Sequence, residues 1–373
     1  MNSTPSNLHR SIGRLPRHFE RQNATRNARR VLVTGGCGFI AHHFIEHMLE
    51  VTDWDIVALD HLDYASNGFD RLRDIPAFDD RRVQVFTVDV AGGVSVGLRK
   101  EIGPVDYIFH LAAETHVDNS IRDPWPFVRS NVIGTYQMLE YAGTVSSLKW
   151  FVYMSTDEVF GAAPPGVSFK EWDRYNSSNP YSATKAAGEE MTLAWANTYG
   201  LPAFVIHAMN AFGERQHPEK FFPKVVNAVL EGRLLPIHSD ATCTVSSSRC
   251  YIHARNIASA ILFLVSRAEQ REKYSIAGER DIPNLELAQR VAEIIGKPLH
   301  YEFVPAQLAR PGLDFRYSLD GSRMKSMGWE PPNGFEESLE RTVRWMIQPE
   351  NMGWLRPDLE FKPTGEPAIE IAA

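Results

Sequence analysis

Short apolar strands alternate with amphipathic helical segments through the first half of the chain. Apolar residues are continuous in the strand-like runs and recur at helical spacing between them. Continuous apolar strands separated by helices are typical of a parallel sheet covered on both faces. The pattern therefore predicts an α/β fold with a doubly wound parallel sheet. The predicted strands cover 30–34, 55–60, 83–88, 107–111 and 150–155, and the predicted helices cover 39–50, 126–142 and 181–199.

The second half of the chain has a less regular pattern. The alternation weakens after Gly213, where Pro218, Pro223 and Pro236 interrupt the apolar runs. Because proline cannot continue a helix or a central strand, these positions predict shorter elements. We therefore expect a smaller C-terminal α/β lobe beside the main sheet.

The charge of the chain is unevenly distributed. Its 373 residues have a net charge of −7, but residues 1–30 hold seven arginines and one acid. The first 30 residues therefore carry +6 and the other 343 carry −13. An acidic body argues against nucleic acid as the main partner. The first 29 residues are rich in Ser, Asn and Arg and predict a flexible basic arm, with a targeting segment and a basic contact arm as the alternatives.

Two further classes are excluded by composition. No run of eighteen apolar residues occurs, so we expect no membrane span. The three cysteines, Cys37, Cys243 and Cys250, have no zinc-ligand spacing and are too few for a disulfide framework. We therefore expect no metal site, and the cysteines suit a reducing compartment, which predicts a cytoplasmic location.

A glycine-rich loop joins the first predicted strand to the first helix. Gly35 begins a G-x-x-G-x-x-A pattern, in which Gly35 allows a tight turn and Gly38 lets a pyrophosphate approach the backbone. Phe39 and Ile40 then open the helix, whose N-terminus favours anions. Asp60 ends the next strand, where its carboxylate can accept from a ribose 2′-hydroxyl and would repel a 2′-phosphate. The unit predicts a Rossmann domain that binds NAD rather than NADP.

A tyrosine and a lysine are placed for acid–base chemistry on the last of these helices. Tyr181 and Lys185 are four residues apart and share one helical face. An ammonium beside a phenol lowers the phenol pKa, so that the phenolate can take a proton from a substrate hydroxyl. We therefore expect hydride transfer between the cofactor and a hydroxyl-bearing carbon.

Two adjacent acids follow the strand at 150–155. Thr156, Asp157 and Glu158 lie where ligands bind in open α/β sheets, at the carboxyl end of a strand. Two carboxyl groups there can divide acid and base roles if their environments separate their pKa values. The strand at 107–111 ends in a polar segment that we expect near the nicotinamide.

Together these motifs resemble the extended short-chain dehydrogenase/reductases, and within them the nucleotide-sugar 4,6-dehydratases of the dTDP-glucose type. The acid pair indicates dehydration, because related 4-epimerases and decarboxylases generally lack it. The similar segments are VLVTGGCGFIA, HLAAETHVDNSI, STDEVFG, NPYSATKAAGE, NAFGERQHPEKFFPK, SRCYIHARN and RPGLDFRY, over roughly residues 30–345.

The resemblance implies a reaction in which Tyr181, assisted by Lys185, deprotonates the sugar 4-hydroxyl as C4 gives hydride to NAD. Thr156 hydrogen-bonds near O4, Glu158 removes the C5 proton, Asp157 protonates the departing 6-hydroxyl, and hydride returns to C6. The product would be a 4-keto-6-deoxy sugar nucleotide, and the enzyme a homodimer. The resemblance also implies cofactor contacts at Asp89, Val90, Ala112 and Ala113, and substrate contacts at Thr115, Asn210 and Arg249.

Composition and the apolar pattern predict a division of the chain, and the resemblance leaves alternatives open. The basic arm would cover 1–29, the NAD-binding domain 30–207 with parts of the later chain, the mainly substrate-binding lobe 208–350, and a tail 351–373. The family pattern is altered at Ala211, Cys250 and Leu313 and in a longer segment at 238–248. UDP-, dTDP- or other NDP-hexoses and 2-acetamido sugars therefore stay open as substrates. The alternative activities are epimerisation and decarboxylation, and a non-catalytic NAD-binding protein is the alternative outside enzymes.

Overall fold

The structure of the chain is a computed structural model that describes residues 28–306, 312 and 314–356. The predicted basic arm lies almost wholly outside the described residues, and so does Leu313. The strands are β1 (Arg30–Thr34), β2 (Asp55–Asp60), β3 (Val83–Thr87), β4 (Tyr107–His110), β5 (Trp150–Thr156), β6 (Ala203–Ala208), β7 (Ala211–Phe212), β8 (Leu235–Ser239), β9 (Ser248–Arg249), β10 (Ile252–His253), β11 (Lys273–Ile276), β12 (Ile282–Pro283) and β13 (Tyr301–Pro305).

The helices cover both faces of the main sheet and build the second half of the chain. They are α1 (Phe39–Val51), α2 (Asp70–Asp74), α3 (Val96–Ile102), α4 (Val117–Arg122), α5 (Trp125–Phe127), α6 (Thr135–Ala142), α7 (Pro180–Tyr199), α8 (Phe221–Glu231), α9 (Ala254–Val265), α10 (Asn284–Ile295), α11 (Ser322–Ser326) and α12 (Phe335–Met346). The helix predicted at 126–142 forms in three parts, because a π-helical turn, Val128–Gly134, joins α5 to α6.

Seven parallel strands form the main sheet in the order β11-β6-β5-β4-β1-β2-β3. The strand order reverses between β1 and β4, and a crevice for ligands opens at such a point, outside the carboxyl ends of the strands. The predicted doubly wound parallel sheet is confirmed. The strand β11, from the later part of the chain, forms one edge of this sheet.

Alternation along the strands explains how both faces of the sheet are covered. Val31 and Val33 of β1 point into the core beneath α1 and α9, while Leu32 between them points into the core beneath α6 and α7. All three side chains are fully buried. Because successive strand residues point to opposite faces, a strand with two buried faces reads as a continuous apolar run.

The long helix α7 begins at a defined cap. The Asn179 side chain accepts from the Ser182 backbone N–H at 2.9 Å, and Pro180 occupies the first turn, where no amide donor is needed. The helix ends at Gly200, which adopts a left-handed conformation with φ +71°. These two ends set the position of Tyr181 and Lys185 in the first turns of the helix.

A third apolar core lies outside the main sheet, among α8, β8, α10 and α12. It is surrounded by three two-stranded pairings, β7 with β10, β8 with β13 and β9 with β12. A 3-10 helix, Pro349–Trp354, follows α12, and Trp354 and Leu355 are buried. The tail boundary predicted at 351 therefore falls inside a packed turn. No helix in the described ranges is long and apolar enough to cross a membrane.

Candidate active site

One cleft at the carboxyl end of the sheet collects all the predicted site residues. Its volume is about 1040 Å³, which is large for a single small ligand. It runs from the β1–α1 loop, across the ends of β4 and β5, to α8 and β9. The predicted residues that line it are Gly35, Gly38, Phe39, Ile40, Asp60, Asp89, Val90, Ala112, Ala113, Thr115, Thr156, Asp157, Glu158, Tyr181, Lys185, Asn210 and Arg249.

The glycine loop is shaped so that backbone, rather than side chains, faces the cleft. Gly35 has φ +69°, and a Cβ placed on it would lie 2.8 Å from the Cα of Ala112. The Gly38 N–H donates to the Gly35 carbonyl at 2.8 Å, which closes the turn just before α1. The Asp60 carboxylate accepts from the backbone N–H groups of Cys37 at 3.0 Å and Leu62 at 2.8 Å. The loop, the helix N-terminus and the buried carboxylate fit the diphosphate and ribose of NAD.

Substituting Gly35 tests whether this loop holds the cofactor. Gly35→Ala adds a methyl group against the Ala112 backbone, so we expect NAD to bind about tenfold more weakly, equivalent to about 1.4 kcal/mol, and less NAD to be retained on purification. Gly166→Ala is the matched control, because Gly166 has φ +75° with no atom within 4 Å of an added Cβ. Bound NAD is measured by absorbance after denaturation. Equal NAD loss in both variants would show that backbone strain, not the close approach, is responsible.

The end of the cleft where Asp89 and Val90 are predicted to contact the cofactor has an ion pair that the sequence patterns do not predict. Arg129 of the π-helical turn pairs with Asp89, whose other carboxylate oxygen accepts from the Ala91 N–H at 2.9 Å. Val90 is buried beside them. Asp89 is therefore held at the carboxyl end of β3, and the only sequence signal for Arg129 is its place in the helix predicted at 126–142.

Burial lowers the pKa of Lys185 and raises the pKa of Tyr181. The Lys185 ammonium lies over the Tyr153 ring, 4.5 Å from its centroid, and burial lowers the pKa of Lys185 to about 7. The expected lowering of the Tyr181 pKa by Lys185 is wrong for this structure: burial raises the pKa of the Tyr181 phenol, and Glu158 and Asp157 raise it further. The positive charge of a bound NAD nicotinamide would act in the other direction.

The acid pair forms at the point where β5 becomes a 3-10 helix, Asp157–Phe160. Thr156 caps this helix: its Oγ1 accepts from the Glu158 N–H at 3.3 Å and donates to Asp157 Oδ1 at 3.0 Å. The Tyr181 phenol lies at the same strand end, where its hydrogen bond with the Thr156 side chain opposes part of the rise in the Tyr181 pKa that burial and Glu158 cause. The strand end thus presents one hydroxyl, two carboxyl groups and a phenol together.

The two carboxyl groups have different surroundings. Asp157 is buried, its Oδ2 has no hydrogen-bond partner among the described residues, and burial followed by the Glu158 charge raises its pKa to about 7. Glu158 Oε2 accepts from the Tyr317 hydroxyl at 3.2 Å and from Asn179 Nδ2 at 3.4 Å. Donors favour a charged carboxylate, whereas burial favours the neutral acid, so the environment suits Asp157 to donate a proton and Glu158 to accept one.

Sequence reasoning assigned no role to either donor on Glu158. Asn179 has a recognisable signal, since it precedes Pro180 at the start of α7 and caps that helix. Tyr317 lies in the quoted segment RPGLDFRY, but its sequence distance from Glu158 is 159 residues. Only the fold brings them together.

Arg249 and Asn210 lie on the substrate side of the acid pair. The Arg249 guanidinium stacks on the Tyr317 ring at 4.5 Å and donates to the carbonyls of Ser248, Phe315 and Asp314 at 2.7, 3.0 and 2.9 Å. Its position is therefore set by backbone contacts before any substrate binds. Asn210 Oδ1 is buried and has no hydrogen-bond partner in the described part of the chain, so it is available to accept a hydrogen bond from a ligand.

Basic side chains that the sequence analysis did not single out line the far end of the cleft. Lys220 Nζ donates to Thr115 Oγ1 at 3.2 Å and pairs with Glu219 at 3.2 Å, so the predicted substrate residue Thr115 already has a partner. Lys224 and Arg233 line the same end. These cations can contact phosphate oxygens of a nucleotide sugar.

Three potential metal ligands lie close together in the cleft. Atoms of His61, Asp63 and Glu114 lie within 4.8 Å of one another. Asp63 Oδ1, however, accepts from the backbone N–H groups of Ala65 and Ser66 at 2.9 Å each, so it caps a turn. Burial raises the pKa of Glu114 to about 7, which weakens it as a ligand at neutral pH.

The fold and the cleft define a Rossmann protein with a Tyr–Lys pair facing a cofactor site. Residues 31–277 match the model of the NAD dependent epimerase/dehydratase family, and the chain belongs to that family. The relationship predicted from the motifs is confirmed. NAD is the cofactor of this family.

The chain is similar to several proteins that are named as 4,6-dehydratases. It is 33% identical to dTDP-glucose 4,6-dehydratase of Haemophilus influenzae, over 85% of this chain and 97% of that protein. It is 32% identical to the trifunctional protein RHM2 of Arabidopsis thaliana, which includes UDP-glucose 4,6-dehydratase, over 87% of this chain. The chain spans about half the length of the Arabidopsis relatives, 48% for RHM2. The crystal structure of DesIV, a dTDP-glucose 4,6-dehydratase of Streptomyces venezuelae with NAD bound, has a TM-score of 0.79 and 34% identity, over 88% of this chain and 99% of that chain.

Proposed function

We propose that this protein is an NAD-dependent nucleotide-sugar 4,6-dehydratase, which converts an NDP-hexose to the NDP-4-keto-6-deoxyhexose. One observation carries the proposal: an acid pair with two different environments, Asp157 buried and Glu158 half-buried, lies beside the Tyr–Lys pair in the same cleft. An epimerase needs only the oxidation chemistry of Tyr181 and Lys185. The relatives named 4,6-dehydratases support the same activity.

The residues divide the reaction between oxidation and elimination. When bound, NAD supplies reversible hydride acceptance. Tyr181 takes the proton of the sugar 4-hydroxyl, and Thr156, which is already hydrogen-bonded to Asp157, orients O4. The resulting 4-ketone makes the C5 proton acidic, Glu158 removes that proton, and Asp157 protonates the departing 6-hydroxyl as water leaves. The C5–C6 double bond so formed would be lost when the hydride from C4 returns to C6 and Glu158 gives its proton back to C5.

The identity of the substrate is tested by its products. Purified protein is incubated with a panel of UDP-, dTDP-, GDP- and CDP-hexoses without added NADH, and the products are analysed by mass spectrometry. The proposal predicts the loss of one water from one of these substrates. Recovery of an isomer of unchanged mass, with a C4 epimer as the only product, would favour the epimerase alternative.

Elimination should become slower as the pH rises through about 7. Asp157 donates its proton only in the neutral form, and burial raises its pKa to about 7, so the acid is present below that pH and lost above it. In a single turnover, the decay of transient NADH absorbance reports elimination and hydride return. We expect the decay rate to fall between about pH 6 and pH 8. A decay rate that is constant or rises over this interval would contradict the assignment of Asp157 as the acid.

We also propose a homodimer, joined through α5, α6 and α7. Trp125 and Tyr136 on α5 and α6 and Tyr199 on α7 are exposed, with 60, 39 and 48% of their surfaces accessible. Trp195 of α7 connects the exposed aromatic residues of α6 and α7, because its ring centroid lies 6.0 Å from that of Tyr136 and 5.4 Å from that of Tyr199. Light scattering should give twice the chain mass, and a monomer at micromolar concentration would refute the dimer.

We also propose a two-part division of the chain and a cytoplasmic location. The chain divides into the NAD-binding domain at 30–207, joined by β11, and the mainly substrate-binding lobe at 208–350, whose separate core supports the division. The protein acts in the cytoplasm, which its three unpaired cysteines support. Its acidic body speaks against a nucleic-acid partner.

A further inference from the structure

The helix that carries Tyr181 and Lys185 has a third ionisable residue on the same face. Glu189 follows Lys185 by four residues and is fully buried. Its carboxylate lies 3.1 Å from the Lys273 ammonium and 3.0 Å from His207 Nε2. Burying such a group of charges has a large desolvation cost, and apolar side chains of similar volume often serve stability equally well. Stability alone is therefore a weak explanation for this cluster.

The carboxylate connects the catalytic helix to the strand end that carries Thr156. Ser155, the residue before Thr156, donates its hydroxyl to Glu189 Oε2 at 2.7 Å. The Tyr175 hydroxyl donates to Glu189 Oε1 and accepts from the Lys273 ammonium. Glu189 thus joins α7 to β5 and, through Lys273, to β11.

The same carboxylate acts on Lys185. Lys185 is held by Tyr153, whose hydroxyl donates to the Lys185 carbonyl at 3.1 Å and whose ring lies under the ammonium at 4.5 Å. Burial lowers the pKa of Lys185 to about 7, and the Glu189 charge opposes that lowering. The other ionisable groups facing Lys185 or Glu189 are His110 of β4, Tyr153 of β5, His207 of β6, Lys273 of β11, Tyr175 and, on α7 itself, Tyr181.

We propose that Glu189 is a positioning residue for substrate oxidation, which maintains the positive charge of Lys185 beside Tyr181, and that Lys273 and His207 moderate its effect. The proposal rests on the proposed function, in which Tyr181 and Lys185 oxidise the sugar at C4. It adds a residue that contacts neither substrate nor cofactor and acts through Lys185.

Two substitutions separate this role from a merely structural one, because they should act in opposite directions. Glu189→Gln removes the anion but keeps an acceptor oxygen, so Lys185 should lose its proton at lower pH. Lys273→Met removes the cation that offsets Glu189, so Lys185 should keep its proton to higher pH. We expect each shift to be about one pH unit. Glu190→Gln is the matched control, because it removes the same charge from the exposed side of the same helix. The Glu190 charge acts on Tyr175 but not on Lys185, so this substitution should not shift the Lys185 pKa.

The test uses two measurements on the NAD-containing protein. The first is the pH dependence of NADH formation in a single turnover with the accepted NDP-hexose, whose alkaline limb reports Lys185. The second is the pH dependence of chemical labelling of the Lys185 amine without substrate, read by mass spectrometry, which does not depend on activity. Shifts of opposite sign in the two variants, in both measurements, are the expected result.

The contrary outcomes are distinct. If both variants lose rate or thermal stability but the alkaline limb of the pH profile does not shift in either, Glu189 has only a structural role and the inference is overturned. If Glu189→Gln does not fold, Lys273→Met decides alone, and an unmoved labelling curve overturns the inference. If wild-type protein forms no NADH with any NDP-hexose, the proposed function fails, whereas unshifted labelling in an active enzyme refutes only the role of Glu189.

Discussion

Glu158→Gln reduces product formation by about 10³-fold while leaving oxidation of the sugar largely intact, since a positioned general base contributes about 10²–10⁴-fold. Glutamine keeps an oxygen that can accept from Tyr317 and Asn179, so the shape of the site is preserved. It cannot remove the C5 proton. Rapid mixing with substrate should therefore give NADH absorbance that rises and then persists, whereas wild-type protein returns to its starting absorbance.

Glu190→Gln is the control for this experiment, because Glu190 is exposed on the outer side of α7. Its absorbance trace should match that of wild-type protein. Near-normal product formation by Glu158→Gln would remove Glu158 from the mechanism. Loss of the NADH rise as well as of product would show that Glu158 serves substrate binding or oxidation rather than elimination.

Tyr181→Phe abolishes the earlier step, so that neither NADH nor product forms at more than about 10⁻³ of the wild-type rate. The ring of Tyr181 is buried and packs edge-on against Phe127 at a centroid distance of 6.4 Å, and phenylalanine can keep that contact. The Tyr181 backbone N–H still donates to Ser120 Oγ at 3.2 Å. We therefore expect an unchanged melting temperature and unchanged NAD content.

The two variants are most informative together. Glu158→Gln stops after oxidation and Tyr181→Phe stops before it, although the two side chains belong to one site. A Tyr181→Phe protein that still forms NADH at a rate close to wild type would assign proton removal from the 4-hydroxyl to another group. Thr156 and Asp157 are then the candidates, since both lie at the same strand end.

Local patterns predict five of the seven strands of the main sheet, β1 to β5, and the cofactor half of the site, but not the strands β6 and β11. Gly35, Gly38 and Asp60 belong to one strand–loop–helix–strand unit, in which spacing along the chain sets spacing in the fold. Tyr181 and Lys185 share a face because they are one helical turn apart. At these positions, the hydrophobic periodicity and the short motifs are sufficient to predict which residues lie close together.

The sequence could not predict contacts between distant segments. Tyr317 contacts Glu158, and Lys273 contacts Glu189, only because the chain returns to the sheet edge through β11 between the segments that build the second lobe. The expectation that Lys185 lowers the pKa of Tyr181 fails for a related reason. Helical spacing shows that Lys185 is near, but not that burial and two carboxylates raise the phenol pKa.

The central claim is that one active site removes hydride from C4 and returns it to C6 of the same sugar. The most direct measurement uses the accepted NDP-hexose carrying deuterium at C4, with the product position read by NMR and mass spectrometry. If hydride passes from C4 to C6 within one active site, the 4-keto-6-deoxy product carries deuterium at C6, without loss to solvent or to added NAD. Deuterium retained at C4 of an epimer, or its absence from C6, would contradict the account.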